Sequence, residues 1–206
     1  MVRLEHLMSS LPKTRLTAEQ YLEIERKAEF KSEYYRGEMF AMSGARAPHV
    51  TIVFNVSGEL RTQLRGRQCN GYSNDMRVQV ADTGLYTYPD MVVVCGEPAF
   101  LDEKRDTLLN PTVVIEVLSE STEAYDRGKK FELYRSLESL AEYVLISSLE
   151  VSVERYTRQS DGSWNYSART KLDESIDLKS IDCQLRLADL YERVAFAPAE
   201  PVEPPK

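Results

Sequence analysis

Two carboxylates stand where strands are expected: Asp90, directly after Pro89, and Glu116, inside the β-branched run VVIEVL at 113–118. A lone charge in a buried strand costs several kcal/mol unless it is paired, protonated or bound to a cation. If the two strands are antiparallel neighbours across the 96–111 loop, pairing Cys95 with Pro111 sets a register that brings Asp90 opposite Glu116. Directly opposed residues share a face of the sheet, and a slip of one residue would separate them. Two carboxylates so placed suit a hard cation such as Mg²⁺ or Mn²⁺, which takes oxygen ligands and keeps waters in its remaining positions.

A third charged group comes from the segment STEAYDRGKKFELY at 121–134, which reads as a helix. At about 100° per residue, Tyr134 and Leu137 fall within about 40° of Lys130 and Leu133 within about 60°, so Lys130 points along the apolar stripe towards the sheet. Asp126, one turn earlier, points the same way, while Lys129 sits on the flank and is expected to be solvated. Each acid and base also has a plainer reading. Asp90 could end a turn, Glu116 could form a structural ion pair with Lys130, and Lys130 could pair with Asp126 at i,i+4. His49 reads as a helix-start or core histidine, and Arg61, Arg65 and Arg67 as a solvated helix end that could touch phosphates.

The elements that must position these groups can be read in turn. Thr17 with Gln20 forms a capping-box pattern that opens a helix over about Ala18 to Glu29, onto which Leu16 can staple. EYYRGEMFAM reads as a hairpin turning at Arg36-Gly37. Pro48 opens a second helix, about His49 to Arg65. Strands are expected at Tyr72 to Val80, Tyr88 to Cys95 and Thr112 to Leu118, then a helix to about Leu137, the strand AEYVLIS, an alternating hairpin around Asp161-Gly162 and a short helix near Leu187 to Arg193. That order predicts one α/β (α+β) domain with helices on a mixed sheet, spanning 17–195 between a lead-in at 1–16 and a Pro- and Glu-rich tail at 196–206 expected to be disordered.

With 206 residues, 42% of them hydrophobic, the chain can bury one substantial core. A net charge of −7 argues against a protein that coats nucleic acid non-specifically, yet a metal-holding carboxylate cluster would itself lower the charge. No apolar stretch reaches membrane-spanning length, and the N-terminal apolar run is too short and broken for a secretory signal, so a cytoplasmic protein without membrane contact is expected. Cys69, Cys95 and Cys183 are far apart without CxxC spacing, which predicts reduced thiols rather than a disulfide framework or a zinc site.

YPD on one strand, VIEVLS on the next, STEAYDRGKKFELYR on a helix and AEYVLIS on a last strand together resemble the Uma2 family of predicted endonucleases, formerly domain of unknown function 820, in the PD-(D/E)XK nuclease superfamily. SEYYRGEMFAMSGARAPHV resembles the family's upstream Glu-x-x-x-Gly-Glu segment and the histidine that follows. The likeness covers roughly residues 17–147. It implies a restriction-endonuclease-like core, one or two Mg²⁺ or Mn²⁺ ions on Asp90 and Glu116, and Glu33, or else Glu38, as the upstream acid. The superfamily's lysine two residues after the glutamate is replaced by Leu118, and Lys130 matches the helix lysine that takes over in Uma2-like sequences. The expected function is metal-dependent hydrolysis of phosphodiester bonds in nucleic acid, most of all DNA, with Asp90, Glu116, Lys130 and Glu33 catalytic and Glu38, His49, Asp126 and Lys129 as accessories. The alternatives are a catalytically silent nuclease-fold module that binds nucleic acid or a protein, and a hydrolase of another phosphate ester. Tyr156, Trp164 and Tyr166 on the 150–169 hairpin offer a homodimer surface or, more ordinarily, packing within the monomer.

Overall fold

The computed structural model describes residues 15–196. Helix α1 (Ala18–Glu25) is opened by the capping box at Thr17 and Gln20. It ends one turn short of the expected Glu29. Strands β1 (Ser32–Tyr35) and β2 (Glu38–Ala41) form the hairpin, turning through Arg36 and Gly37 at φ 47° and 96°. Two consecutive left-handed residues match the twist of a two-residue hairpin, and glycine takes one of those positions without steric cost. Helix α2 (Ala47–Gln63), with Pro48 in its first turn, buries Ile52, Val56 and Leu60.

The expected strand Tyr72 to Val80 is in fact two. β3 (Cys69–Ser73) and β4 (Arg77–Val80) join different sheets, because the chain turns at Asn74–Met76. Of the next expected strand, Tyr88 to Cys95, only β6 (Met91–Cys95) is strand; an unforeseen β5 (Leu85–Thr87) precedes it in the other sheet, with Tyr88-Pro89-Asp90 as the crossover between sheets. Proline lacks a backbone donor and breaks the ladder there. The charged 96–111 loop contributes the two-residue β7 (Thr107–Leu108), parallel to β4.

β8 (Val113–Leu118) runs antiparallel to β6 with Met91 opposite Ile115 and Val93 opposite Val113, the register inferred from sequence. A helical segment then leads to β9 (Glu142–Ser147), which lies parallel to β8, as a crossover connection permits. β10 (Val153–Arg158) and β11 (Trp164–Arg169) form the expected hairpin, and a small pair, β12 (Ser175–Leu178) and β13 (Cys183–Arg186), precedes the last helix at Leu187–Leu190. The result is a six-stranded mixed sheet, β11-β10-β9-β8-β6-β3, beside a five-stranded sheet, β2-β1-β5-β4-β7.

Alternation sorts the central strands. Met91, Val93, Ile115 and Val117 pack under α2, whereas Val92, Val94, Val114 and Leu118 meet Phe131, Leu133 and Tyr134 on the other face. Tyr156 and Trp164 pack against this second cluster, so two of the three hairpin aromatics are spent within the monomer. A buried polar chain fixes the hairpin side. Arg77 donates to Thr107 and Tyr88, and Tyr88 donates to Glu25, which also accepts from the backbone of Ser32 at the start of β1. The thiol expectation is corrected: Cys69 and Cys95 face each other across β3 and β6 and are joined as a disulfide, while Cys183 is free and buried. Cross-strand register, not sequence spacing, sets that pair.

Candidate active site

The segment after β8 is helical from Glu123 to Tyr134, but its middle, Asp126–Lys130, is a π turn between α3 (Glu123–Tyr125) and α4 (Phe131–Tyr134). It stops three residues before the expected Leu137. Such turns widen the helix by one residue and recur at functional sites. Here the turn keeps both charged residues inward: Asp126 is 3% exposed and Lys130 is 5% exposed. Lys129 points out and pairs with Glu132, leaving it outside the cluster.

Lys130 Nζ lies 3.0 Å from Glu116 Oε1, 3.1 Å from Glu33 Oε1 and 3.3 Å from Asp126 Oδ1. The three carboxylates come from β8, β1 and the π turn. Glu33 also accepts a bond from the Thr87 hydroxyl at the end of β5, and Glu116 one from the Tyr134 hydroxyl at 3.2 Å. Asp90 stands at the crossover with its Oδ2 accepting from the Val117 backbone N–H at 2.8 Å, which ties it to the strand end next to Glu116. From the other side His49 Nε2, in the first turn of α2, comes within 3.3 Å of the same oxygen, while its Nδ1 is buried without a partner. Glu38 is exposed on β2 and is not drawn into the cluster.

The electrostatics follow from counting charges in a dry place. Burial pushes Glu116 well above the usual carboxylate range; Lys130 opposes that, and Asp126, Asp90 and Glu33 add to it. Burial raises Asp126 as well, against the pull of Lys130. Burial alone would lower Lys130, but Glu116 and Glu33 outweigh it and hold the ammonium well above its ordinary value. Lys130 keeps its proton because the acids around it outweigh its burial, while burial first and the neighbouring acids second push the carboxyls of Glu116 and Asp126 towards their neutral forms. Tyr125 belongs to the same surroundings, its ring centroid 6.0 Å from Lys130 Nζ and its hydroxyl pushed up to about 12 by burial and then by Glu33.

Among the described residues no three His, Cys, Asp or Glu side chains converge closely enough to cage an ion by themselves. The donor set fits a looser site, two carboxylates completed by water and by substrate oxygen, which is how Mg²⁺ is commonly held. Sequence reasoning had not singled out Thr87, Tyr125 or Tyr134. Tyr134 is legible only as an apolar-stripe neighbour of Lys130, and Thr87 carries no signal because it falls between the expected strands Tyr72 to Val80 and Tyr88 to Cys95.

Residues 18–188 match the Uma2 family, described as "putative restriction endonuclease". Uncharacterized protein slr1290 of Synechocystis sp. (strain PCC 6803) is 37% identical over 191 residues, covering 91% of this chain and 97% of its own. Uncharacterized protein sll1609 of the same organism is 38% identical over 149 residues, covering 72% and 84%. A crystal structure of a "putative nuclease belonging to DUF820" from Anabaena variabilis ATCC 29413 superposes with a TM-score of 0.72 at 18% identity, over 87% of this chain and 99% of that one. At that identity the likeness establishes the fold, a mixed α+β nuclease fold.

Proposed function

The chain belongs to the Uma2 family, and from that premise and its acid cluster we propose that it is a Mg²⁺- or Mn²⁺-dependent endonuclease hydrolysing phosphodiester bonds of nucleic acid, DNA above all. The observation that carries the proposal is the set of carboxylates gathered at one end of the sheet, with Lys130 held at 3.0–3.3 Å by three of them and Asp90 fixed beside Glu116. One domain over 17–195 would carry the activity, in the cytoplasm where such a substrate is met.

Asp90 and Glu116 would hold the metal, one or two ions. When bound, the ion supplies Lewis acidity at a phosphoryl oxygen and a water acidic enough to attack near neutral pH. The Val117 N–H and the Tyr134 hydroxyl keep the two acids oriented, so neither has to reorganise when substrate arrives. Lys130 is the group placed to orient the attacking water and to offset charge growing on the phosphoryl oxygens. Glu33 holds that ammonium from the hairpin side, and Asp126 from its own helix. His49 positions Asp90 from the α2 side. A cut through both strands of a duplex would ask for two copies of the chain, and of the hairpin aromatics Tyr166, 53% exposed, is left for such a contact.

The test is calorimetric titration of Mg²⁺ and Mn²⁺ into metal-free wild type, Asp90→Asn and Glu116→Gln, with cleavage of mixed single- and double-stranded DNA followed in parallel. The expected result is binding and cleavage by wild type and loss of both in the two folded variants. Binding without cleavage would keep the metal site and move the question to substrate or partner. No binding by any of the three would make Glu116 a structural acid and overturn the proposal.

A further inference from the structure

The acid cluster is closed around Lys130, and the described hollows lie elsewhere. One, of about 460 Å³, is a groove between the outer flank of α2 and strand β3, with Arg61, Arg65 and Leu64 on one wall, Gly71 and Ser73 on the other, and Met91 at its base. None of its lining residues is acidic, in a chain with 33 Asp and Glu against 26 Lys and Arg. Arg61, in the last turn of α2, and Arg65, in the turn just past its end, are both exposed. Among the described residues neither has a carboxylate partner, whereas Arg67 just beyond them is tied to Asp182 and to the Ile181 carbonyl.

Two further features point the same way. β3 is the edge of its sheet, so one side of its backbone has no strand partner. At its centre stands Gly71, where a Cβ would meet only ordinary contacts, Met91 Sδ at 3.9 Å and Leu64 Cδ1 at 4.0 Å. Packing therefore does not demand glycine there, and glycine weakens a strand interior unless something approaches closely. Its effect is to keep the groove open. Chain connectivity relates the groove to the acid cluster, which lies on the other face of the six-stranded sheet. Met91 follows Asp90 in the chain, and α2 carries His49, beside Asp90, in its first turn and Arg61 about 18 Å further along its axis.

We propose that the groove between α2 and β3 is an anchoring site for the phosphodiester backbone of the nucleic-acid substrate, gripping it with Arg61 and Arg65, Arg61 standing about 18 Å along α2 from His49, on the order of five base steps of duplex. The inference rests on the nuclease reading and extends it. Arg61 and Arg65 contact phosphate and carry no sequence information, so the anchor raises affinity for long substrates and leaves the chemistry of a short one untouched.

The test uses the full chain. Binding of a labelled 30-base-pair duplex is measured in EDTA over a salt series, with cleavage of long and very short oligonucleotides followed separately in Mg²⁺. The variants are Arg61→Ala/Arg65→Ala, Gly71→Leu to plug the groove with both arginines in place, and Lys171→Ala/Arg186→Ala as a charge-matched control outside its lining. The arginine double variant should lose on the order of tenfold in affinity, and its log–log salt slope should flatten by about 1.8. Gly71→Leu should bind as weakly, the control should match wild type, and all should cleave the short substrate equally. Wild-type affinity and slope in the double variant, or wild-type affinity in folded Gly71→Leu, would overturn the groove while cleavage by wild type left the nuclease reading standing. Neither binding nor cleavage by wild type would overturn both.

Discussion

Lys130→Met removes the ammonium and leaves the rest of the cluster in place. Glu116 and Asp126 are each 3% exposed, and Glu33 faces the same point from the hairpin. Removing one partner of a buried ion pair costs about 3–5 kcal/mol, because the remaining charge is left uncompensated. The variant has an escape: its carboxyls can take up protons. A carboxyl whose value in the folded state lies above its unfolded value, about 4.3 for glutamate, binds more protons folded than unfolded between the two. Stability then falls as pH rises through that window, by about 1.4 kcal/mol per pH unit for each proton involved. Loss of Lys130 pushes the carboxyls of Glu116 and Asp126 further upward, in the direction burial already drives them. A deficit of about 4 kcal/mol at pH 8 should therefore shrink to about 1 kcal/mol at pH 6 if one proton is taken up across that range. Urea unfolding of wild type and Lys130→Met at both pH values measures it. An equal deficit at pH 6 and pH 8, or none at either, would refute the picture of an over-acidic cluster neutralised by Lys130.

Glu33→Gln should cut turnover by on the order of tenfold or more, in the range of lost electrostatic positioning, while Glu38→Gln should match wild type; parallel steady-state cleavage assays compare them. Mg²⁺ at about a hundred times its dissociation constant should stabilise wild type by about 2.7 kcal/mol. In thermal unfolding that shift should be absent from Asp90→Asn. Reduction of the Cys69–Cys95 disulfide, which closes a loop of sequence separation 26, should cost about 3 kcal/mol, read as the difference between urea curves with and without reductant.

The acid cluster was legible in the sequence to the extent that it depends on period and register. Alternation in VVIEVL fixed which face Glu116 takes, pairing across the 96–111 loop placed Asp90 opposite it, and the helical stripe selected Lys130. What could not be read were events that override a local period. The break at Asn74–Met76 sends one apparent strand into two sheets, β5 lies ahead of the strand expected from Tyr88, and a second sheet was not foreseen because its strands are two to four residues long. The π turn has no periodic signature over so few residues. The disulfide follows from β3 lying beside β6, a tertiary fact, and Glu38 was separated from Glu33 only when the hairpin docked with Glu33 against Thr87. His49 was read as a helix-start residue, which it is, but its reach to Asp90 required knowing where α2 begins relative to the crossover.

The displaced lysine acquires a reason from this geometry. Leu118, two residues after Glu116, is 1% exposed and packs among Val92, Val114 and Leu145, so an ammonium at that position would enter an apolar cluster. Lys130 approaches Glu116 from the helix instead, and its place is set by carboxylates on three separate elements. One of them, Glu33, belongs to the five-stranded sheet, while Glu116 belongs to the six-stranded one. Asp90 lies on the chain segment that passes between the two. The cluster is therefore assembled at the seam of the two sheets, and its geometry depends on how the β1–β2 hairpin docks through Thr87 and Glu25. A substitution that loosened that docking would shift Lys130 without touching any residue on β6 or β8.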